Sequence, residues 1–139
     1  MREIKHTKIL LAGTPKATAM VSKTPLSFWG GVDVATGKIQ DIHHDLCGET
    51  LTGKILCIPY DRGSCSGSGV LIEMVKRQTA PAAIICIEAE PVLALGPMIG
   101  EIMYGRSMAL RTVSEEDFNK ISNGDSLEFK EDCIVIGTE

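Results

Sequence analysis

The stretch that most constrains this chain runs from Lys54 to Arg77: Lys-Ile-Leu-Cys-Ile-Pro-Tyr-Asp-Arg-Gly-Ser-Cys-Ser-Gly-Ser-Gly-Val-Leu-Ile-Glu-Met-Val-Lys-Arg. Ile55–Ile58 is a short apolar run of the kind that forms a buried strand. Pro59 ends it, and Asp61–Gly69 is a turn rich in glycine and serine. From Val70 the apolar residues Val70, Leu71, Met74 and Val75 recur at helical spacing, which predicts a helix starting near Ser66 or Ser68. A strand that turns into a helix leaves the first backbone N–H groups of the helix unpaired, with the positive end of its dipole behind them. Such an end suits a carboxylate or phosphate. The plainer reading keeps equal standing on local grounds: the serines cap the helix and the glycines make the turn.

At 139 residues the chain reads as one domain, 1–139, able to bury a single core. Aromatic residues make up 4% of it, so Ile, Leu, Val, Met and Ala must fill that core. The net charge of −4 and the absence of a Lys/Arg cluster argue against a nucleic-acid partner. No run approaches the roughly 18 apolar residues that span a membrane, and the N-terminus lacks a signal-peptide layout. A soluble, cytoplasmic protein is the expectation. The five cysteines, Cys47, Cys57, Cys65, Cys86 and Cys133, are widely spaced and form no Cys-x-x-Cys pair. Neither a disulfide framework nor a metal site on this chain is expected.

Along the chain, Ile9–Leu11 and Ala17–Ser22 read as strands, and Ile39–Ile42 as a strand edge. His43-His44-Asp45-Leu46-Cys47 carries metal-capable groups at no familiar ligand spacing and reads as a solvated loop. Ala80-Pro81 should end the central helix, and Ala82–Ile87 is a second buried strand. Pro91 or a neighbour starts a helix that Gly96-Pro97 interrupts, and a short piece from Met98 resumes it to Gly105. Met108–Val113 is strand-like. Ser114-Glu115-Glu116-Asp117 caps a brief helix through Phe118 and Ile121, and Ser126–Phe129 with Cys133–Ile136 form a terminal hairpin.

The turn admits few chemistries. A Walker-type phosphate loop needs Lys and a hydroxyl residue after its last glycine, where Val70 and Leu71 stand. A nucleophile elbow needs glycines two places either side of its serine, and neither Ser64, Ser66 nor Ser68 has them. What remains is a serine held at a helix start to take or hold a proton, beside backbone N–H groups that stabilise an oxyanion. Serine alone is a weak base, so Arg62 or groups outside the chain must help. Cys65 is a rival nucleophile, because helix N-termini lower thiol pKa values.

Three segments in order, Phe28-Trp29-Gly30-Gly31-Val32-Asp33, Asp61-Arg62-Gly63-Ser64-Cys65-Ser66-Gly67-Ser68-Gly69 and Ala89-Glu90-Pro91-Val92-Leu93-Ala94-Leu95-Gly96, resemble the small subunit of aconitase X over roughly Val21 to Leu110. The resemblance implies an α/β fold, a swivelling β/β/α domain like the mobile domain of aconitases. It implies as partner a large subunit that carries an iron–sulfur cluster and most substrate contacts, with no cofactor on this chain. It maps the catalytic base onto Ser64. Arg62, Gly63, Cys65, Ser66, Gly67 and Ser68 would hold the substrate, and Ser27, Gly30, Gly31 and Asp33 would line the site. Phe28 and Trp29 fit core or subunit interface equally well, and Glu90 and Pro91 fit a strand–helix corner better than a substrate contact. The family divides between cis-3-hydroxy-L-proline dehydratases and mevalonate 5-phosphate dehydratases. The Gly-Ser-Cys-Ser-Gly-Ser-Gly turn is similar to the former, since a threonine–valine pair is usual in the latter at Cys65-Ser66. In that reading the partner's iron acts as a Lewis acid on the departing hydroxyl. A non-catalytic, anion-binding regulatory module stays open beside the hydro-lyase.

Overall fold

The computed structural model describes residues 2–60, 65–89, 91–106 and 108–137, with only the backbone of residues 29, 65–68, 91 and 92 among those in helices. Three strands make its centre: β6 (Ile55–Cys57), β7 (Ala83–Cys86) and β8 (Ala109–Val113). Every residue in all three is buried, the pattern of parallel strands covered on both faces. They pair in parallel, and β3 (Lys16–Val21) adds a fourth parallel strand beside β6. Between them run the crossover helices α2 (Cys65–Arg77) and α3 (Pro91–Tyr104).

The terminal hairpin, β9 (Ser126–Phe129) and β10 (Ile134–Gly137), pairs antiparallel and continues the sheet from β3. Its outer neighbour is β1 (Arg2–Ile4), while β2 (His6–Leu11) pairs with β8 at the opposite end of the strand order. Only Lys5 separates β1 from β2. The eight strands therefore curl until the two ends of the sheet meet on one N-terminal run. This is the β/β/α layering expected of a swivelling domain, with few helices.

Two cores follow. Ile4, Ile55, Cys57, Ile85, Val113, Leu127, Phe129 and Ile134 fill the space between the β layers. Met20, Leu56, Ile58, Leu71, Met74, Ile84, Leu93 and Leu110 fill the space between sheet and helices. Each such side chain contributes about 1.5–3 kcal/mol on burial. Inside the β layers lies Arg111, 1% exposed, with its guanidinium 4.6 Å from the Phe129 ring. It donates to the carbonyls of Gly13, Lys130 and Cys133, and so ties the β2–β3 connection to the terminal hairpin. Burial lowers its pKa.

Several expectations need correction. Gly96-Pro97 does not interrupt α3, which is continuous through Pro97. A proline ring clashes with the Cβ of the residue before it when that residue is helical, and Gly96 has no Cβ. Residues 28–31 form a short helix, α1 (Phe28–Gly31), and of the two places open to Phe28 it takes the core, at 1% exposure. The strand edge read at Ile39–Ile42 stops early: β5 (Lys38–Ile39) pairs with β4 (Val32–Asp33), and Ile42 is solvent-facing. The central helix starts at Cys65 and ends at Arg77, earlier at both ends than the periodicity predicts. Its end is a Schellman motif, with Gln78 N–H on the Val75 carbonyl and Thr79 N–H on the Met74 carbonyl. Gln78 takes the left-handed conformation that glycine usually supplies there, φ 61°. The cap at Ser114 is as expected: its Oγ accepts from Asp117 N–H, 3.1 Å, and opens α4 (Glu115–Phe118).

Candidate functional site

In a sheet with parallel strands, ligands gather at the carboxyl ends, where crossover loops begin. Here β3, β6 and β7 end together. Ser22 N–H, one residue past β3, donates to the Cys57 carbonyl at 2.9 Å. Ile58 N–H donates to the Ile85 carbonyl, and the N–H groups of Ile87 and Glu88 donate to the Pro59 carbonyl. The run through Ile58 and Pro59 is thus held against the run into α3. Arg62, Gly63 and Ser64 lie outside the described residues, as does Glu90. Cys65, Ser66, Gly67 and Ser68 form the first turn of α2, whose N–H groups have no partner within the helix. No acidic side chain stands among residues 65–68 to compete for that positive end.

The second predicted segment arrives through α1, which packs on α2. Ser27 is its N-cap residue, in extended conformation and half-buried. The Gly31 carbonyl accepts the Gln40 N–H, and the Gly30 carbonyl accepts the Gln40 side-chain amide. Asp33 is drawn into a turn instead: its Oδ1 accepts Ala35 N–H at 3.0 Å and its carbonyl accepts Gly37 N–H at 2.7 Å. The hairpin built on that turn is locked to the far end of α2. Thr79 Oγ1 donates to the Val34 carbonyl and Thr52 Oγ1 to the Thr79 carbonyl. Gly37, at φ 76°, sits where any Cβ would collide with Thr52.

The His43–Cys47 stretch is not a solvated loop. His44 is 5% exposed and sits under the residues that follow β3. Leu46 N–H donates to His44 Nδ1 at 3.1 Å, so Nδ1 carries no proton. His44 Nε2 then donates to the Thr24 carbonyl, 3.1 Å away. Asp45 Oδ1 lies 3.2 Å from Nδ1, but with no proton between them this is proximity and not an ion pair. That carboxylate receives the Ser22 hydroxyl at 2.5 Å, and Ser22 Oγ accepts Thr24 N–H. Ser22, His44 and Asp45 have the composition of a catalytic triad without its geometry, because both ring nitrogens are spent on backbone. They brace residues 22–27, which lead to Ser27. Nothing local in the sequence marks them, since they meet only when β3 is placed beside β6.

Two of the cysteine thiols are poorly suited to act as nucleophiles. Burial pushes the Cys57 thiol far above its ordinary value. Cys133 is raised chiefly because its Sγ donates to Glu3, 3.2 Å away. An iron–sulfur cluster needs several thiolates converging on one point. Cys57 lies between the β layers, Cys86 faces the helices, Cys133 adjoins β1 and Cys47 is exposed. Among the described residues no three His, Cys, Asp or Glu side chains converge. They do not fit a cluster. No helix among the described residues is long and apolar enough to cross a membrane. A hollow lined by Gly53, Val75, Gln78, Ala82 and Arg106 lies at the opposite ends of the strands, away from the turn.

Comparison with known proteins places this arrangement. The family model for the aconitase X swivel domain matches residues 4–136. The chain is 43% identical over 108 residues to a cis-3-hydroxy-L-proline dehydratase of Pseudomonas aeruginosa, covering 78% of this chain and 19% of that protein. It is 53% identical over 87 residues to the phosphomevalonate dehydratase small subunit of Methanopyrus kandleri, covering 63% of this chain and 64% of that one. The chain thus spans about a fifth of the first relative and under two thirds of the second. Its fold superposes on a chain of the Thermococcus kodakaraensis aconitase X crystal structure (holo-form) with a TM-score of 0.83 at 33% identity, covering 98% of both chains. The chain belongs to the aconitase X swivel-domain family.

Proposed function

We propose that this swivel domain serves a hydro-lyase that eliminates water from cis-3-hydroxy-L-proline, working with a large aconitase X chain that completes the site. The observation that carries the reading is the α2 N-terminus opening directly after Ser64 in a chain that matches the family from residue 4 to 136. Ser64 Oγ takes the proton from the carbon bearing the carboxylate. The hydroxyl on the neighbouring carbon leaves, and a carbon–carbon double bond forms between the two. The proton taken up by Ser64 is passed on to the departing hydroxyl, which leaves as water and returns the base to its starting state. The resulting enamine tautomerises to Δ1-pyrroline-2-carboxylate. The first-turn N–H groups of α2 lower the cost of an alkoxide at Ser64, and Arg62 holds the substrate carboxylate. Cys65 stays the rival nucleophile at the same helix start.

The choice of amino acid over phosphate rests on the Ser64-Cys65-Ser66-Gly67-Ser68-Gly69 turn, which is similar to the hydroxyproline type. A second reading, mevalonate 5-phosphate as substrate, is favoured by the higher identity to the M. kandleri small subunit. The test is co-expression with the cognate large chain, then an anaerobic assay on both compounds. Turnover of cis-3-hydroxy-L-proline alone is expected, with Ser64→Ala lowering kcat by about 10²–10⁴-fold. Turnover of the phosphate alone replaces the substrate and keeps the base. An assembled wild-type complex inert on both, yet binding carboxylates, makes the domain an anion-binding module.

A further inference from the structure

The helix that the sequence seemed to break carries the least expected surface of the molecule. Along α3, Leu95, Met98, Ile99, Ile102 and Met103 recur at offsets of 3, 4, 7 and 8 from Leu95, one continuous stripe. They are 51%, 47%, 41%, 85% and 61% exposed. The opposite face of the same helix is spent on the core. Leu93 and Ala94 are buried against the sheet, and Gly100 sits so close to α2 that a Cβ would lie 2.9 Å from Val75. The helix cannot roll to hide the stripe without losing that contact. The one charged residue in its 14 positions is Glu101.

We infer that this stripe is the seat of the large aconitase X chain, through an apolar surface on that chain. The inference rests on the proposed function, which puts a partner over the strand ends near Tyr60. Continuity argues for that occupant. The Pro59 carbonyl is bonded to Ile87 and Glu88, the residues leading into α3, and Tyr60 beside it is itself 50% exposed. A chain that closes over Tyr60 meets Leu95 one turn into the helix and then runs along the stripe to Met103. Area argues against self-association as the main use. The five side chains offer on the order of 500 Å², which falls short of the roughly 800 Å² per partner in a standard interface. A partner that also covers the strand ends makes up the difference.

The experiment compares wild-type chain with Met98→Glu/Ile102→Glu and with Glu116→Arg, an exposed change on α4, across the β layers from α3. Each is co-expressed with tagged large chain, and the Kd is read by sedimentation velocity on dilution. Circular dichroism and thermal unfolding of the isolated chains check the fold. The expected result is a Kd raised about a hundredfold or more by the double variant, with two anchors lost, an intact fold, and no change for Glu116→Arg. Ser64→Ala should assemble like wild type and be inactive. A double variant that assembles with wild-type Kd overturns the inference, as does a wild-type chain that does not bind the large chain. So does a concentration-dependent homodimer abolished by the double variant while large-chain binding persists, which gives the stripe to a second copy. A wild-type complex that assembles through the stripe but dehydrates neither compound removes the proposed reaction and leaves the docking surface standing.

Discussion

The helices α2 and α3 are neighbours of nearly equal length, packed on one another and on one sheet, yet their outer faces differ. On α2 the solvent side carries Lys76 and an Arg77–Glu73 pair, Nε to Oε2 2.7 Å, spaced i to i+4. On α3 the same side carries leucine, isoleucine and methionine. Their inner faces do the same work: Leu71 and Met74 from one, Leu93 and Ala94 from the other, all buried in a single cluster. Their C-termini also share a geometry with different residues, Gln78 at φ 61° after α2 and Gly105 at φ 67° after α3. The inner face of a helix is thus dictated by the fold, whereas its outer face reports what lies beyond the fold. For α2 that is water. For α3 it is another apolar surface.

The comparison can be broken where it claims sameness. Leu71→Ala and Leu93→Ala should each destabilise the isolated chain by about 2–5 kcal/mol in urea unfolding, because both leave a cavity in the same core. A near-zero cost for Leu93→Ala would show that α3 is held from outside and not by the sheet. Gly100→Leu should cost about 1–3 kcal/mol by forcing α2 and α3 apart at Val75, read in the same way. Gln78→Gly should stabilise by about 0.5–1 kcal/mol, removing a left-handed side-chain residue where α3 already uses glycine. The smallest effect belongs to the outer face of α2. The Arg77 hydrogen bond holds the Glu73 carboxyl below its ordinary value. A depressed carboxylate lends its stability above the unfolded pKa and loses it as pH falls through the folded one. NMR titration should therefore find Glu73 ionised to lower pH than a free glutamate. Glu73→Gln should return the pair to ordinary helix surface, with a change in thermal stability near the limit of measurement.

What the sequence made legible was local. Continuous apolar runs marked β6 and β7 because strands covered on both faces need no alternation. Ser114 and the terminal hairpin were readable because a cap and a two-strand turn are closed by residues a few positions apart. The central strand and helix were readable for the same reason, whereas the turn between them, with Ser64, falls in part on α2 and in part outside the described residues. Distant meetings were not legible. His44 looked solvated because its partners, Thr24 and Ser22 through Asp45, sit some twenty residues away on another strand end. Asp33 looked like a site residue, and its carboxylate instead closes the turn into Ala35. The break expected at Gly96-Pro97 set two breakers side by side and missed that the first relieves the second. With the helix cut there, the stripe from Leu95 to Met103 was divided between two pieces and could not be seen as one face.

The single residue Lys5 between β1 and β2 has a bearing on how this domain can be recognised. Because one N-terminal run pairs with β10 in its first half and β8 in its second, the large sheet exposes only short lengths of unpaired backbone. Proteins that recruit a peptide or a neighbour by strand addition need a long free edge, and so does edge-to-edge aggregation. The near-closed sheet withholds both. It leaves recognition to side chains, at the strand ends and along the helices.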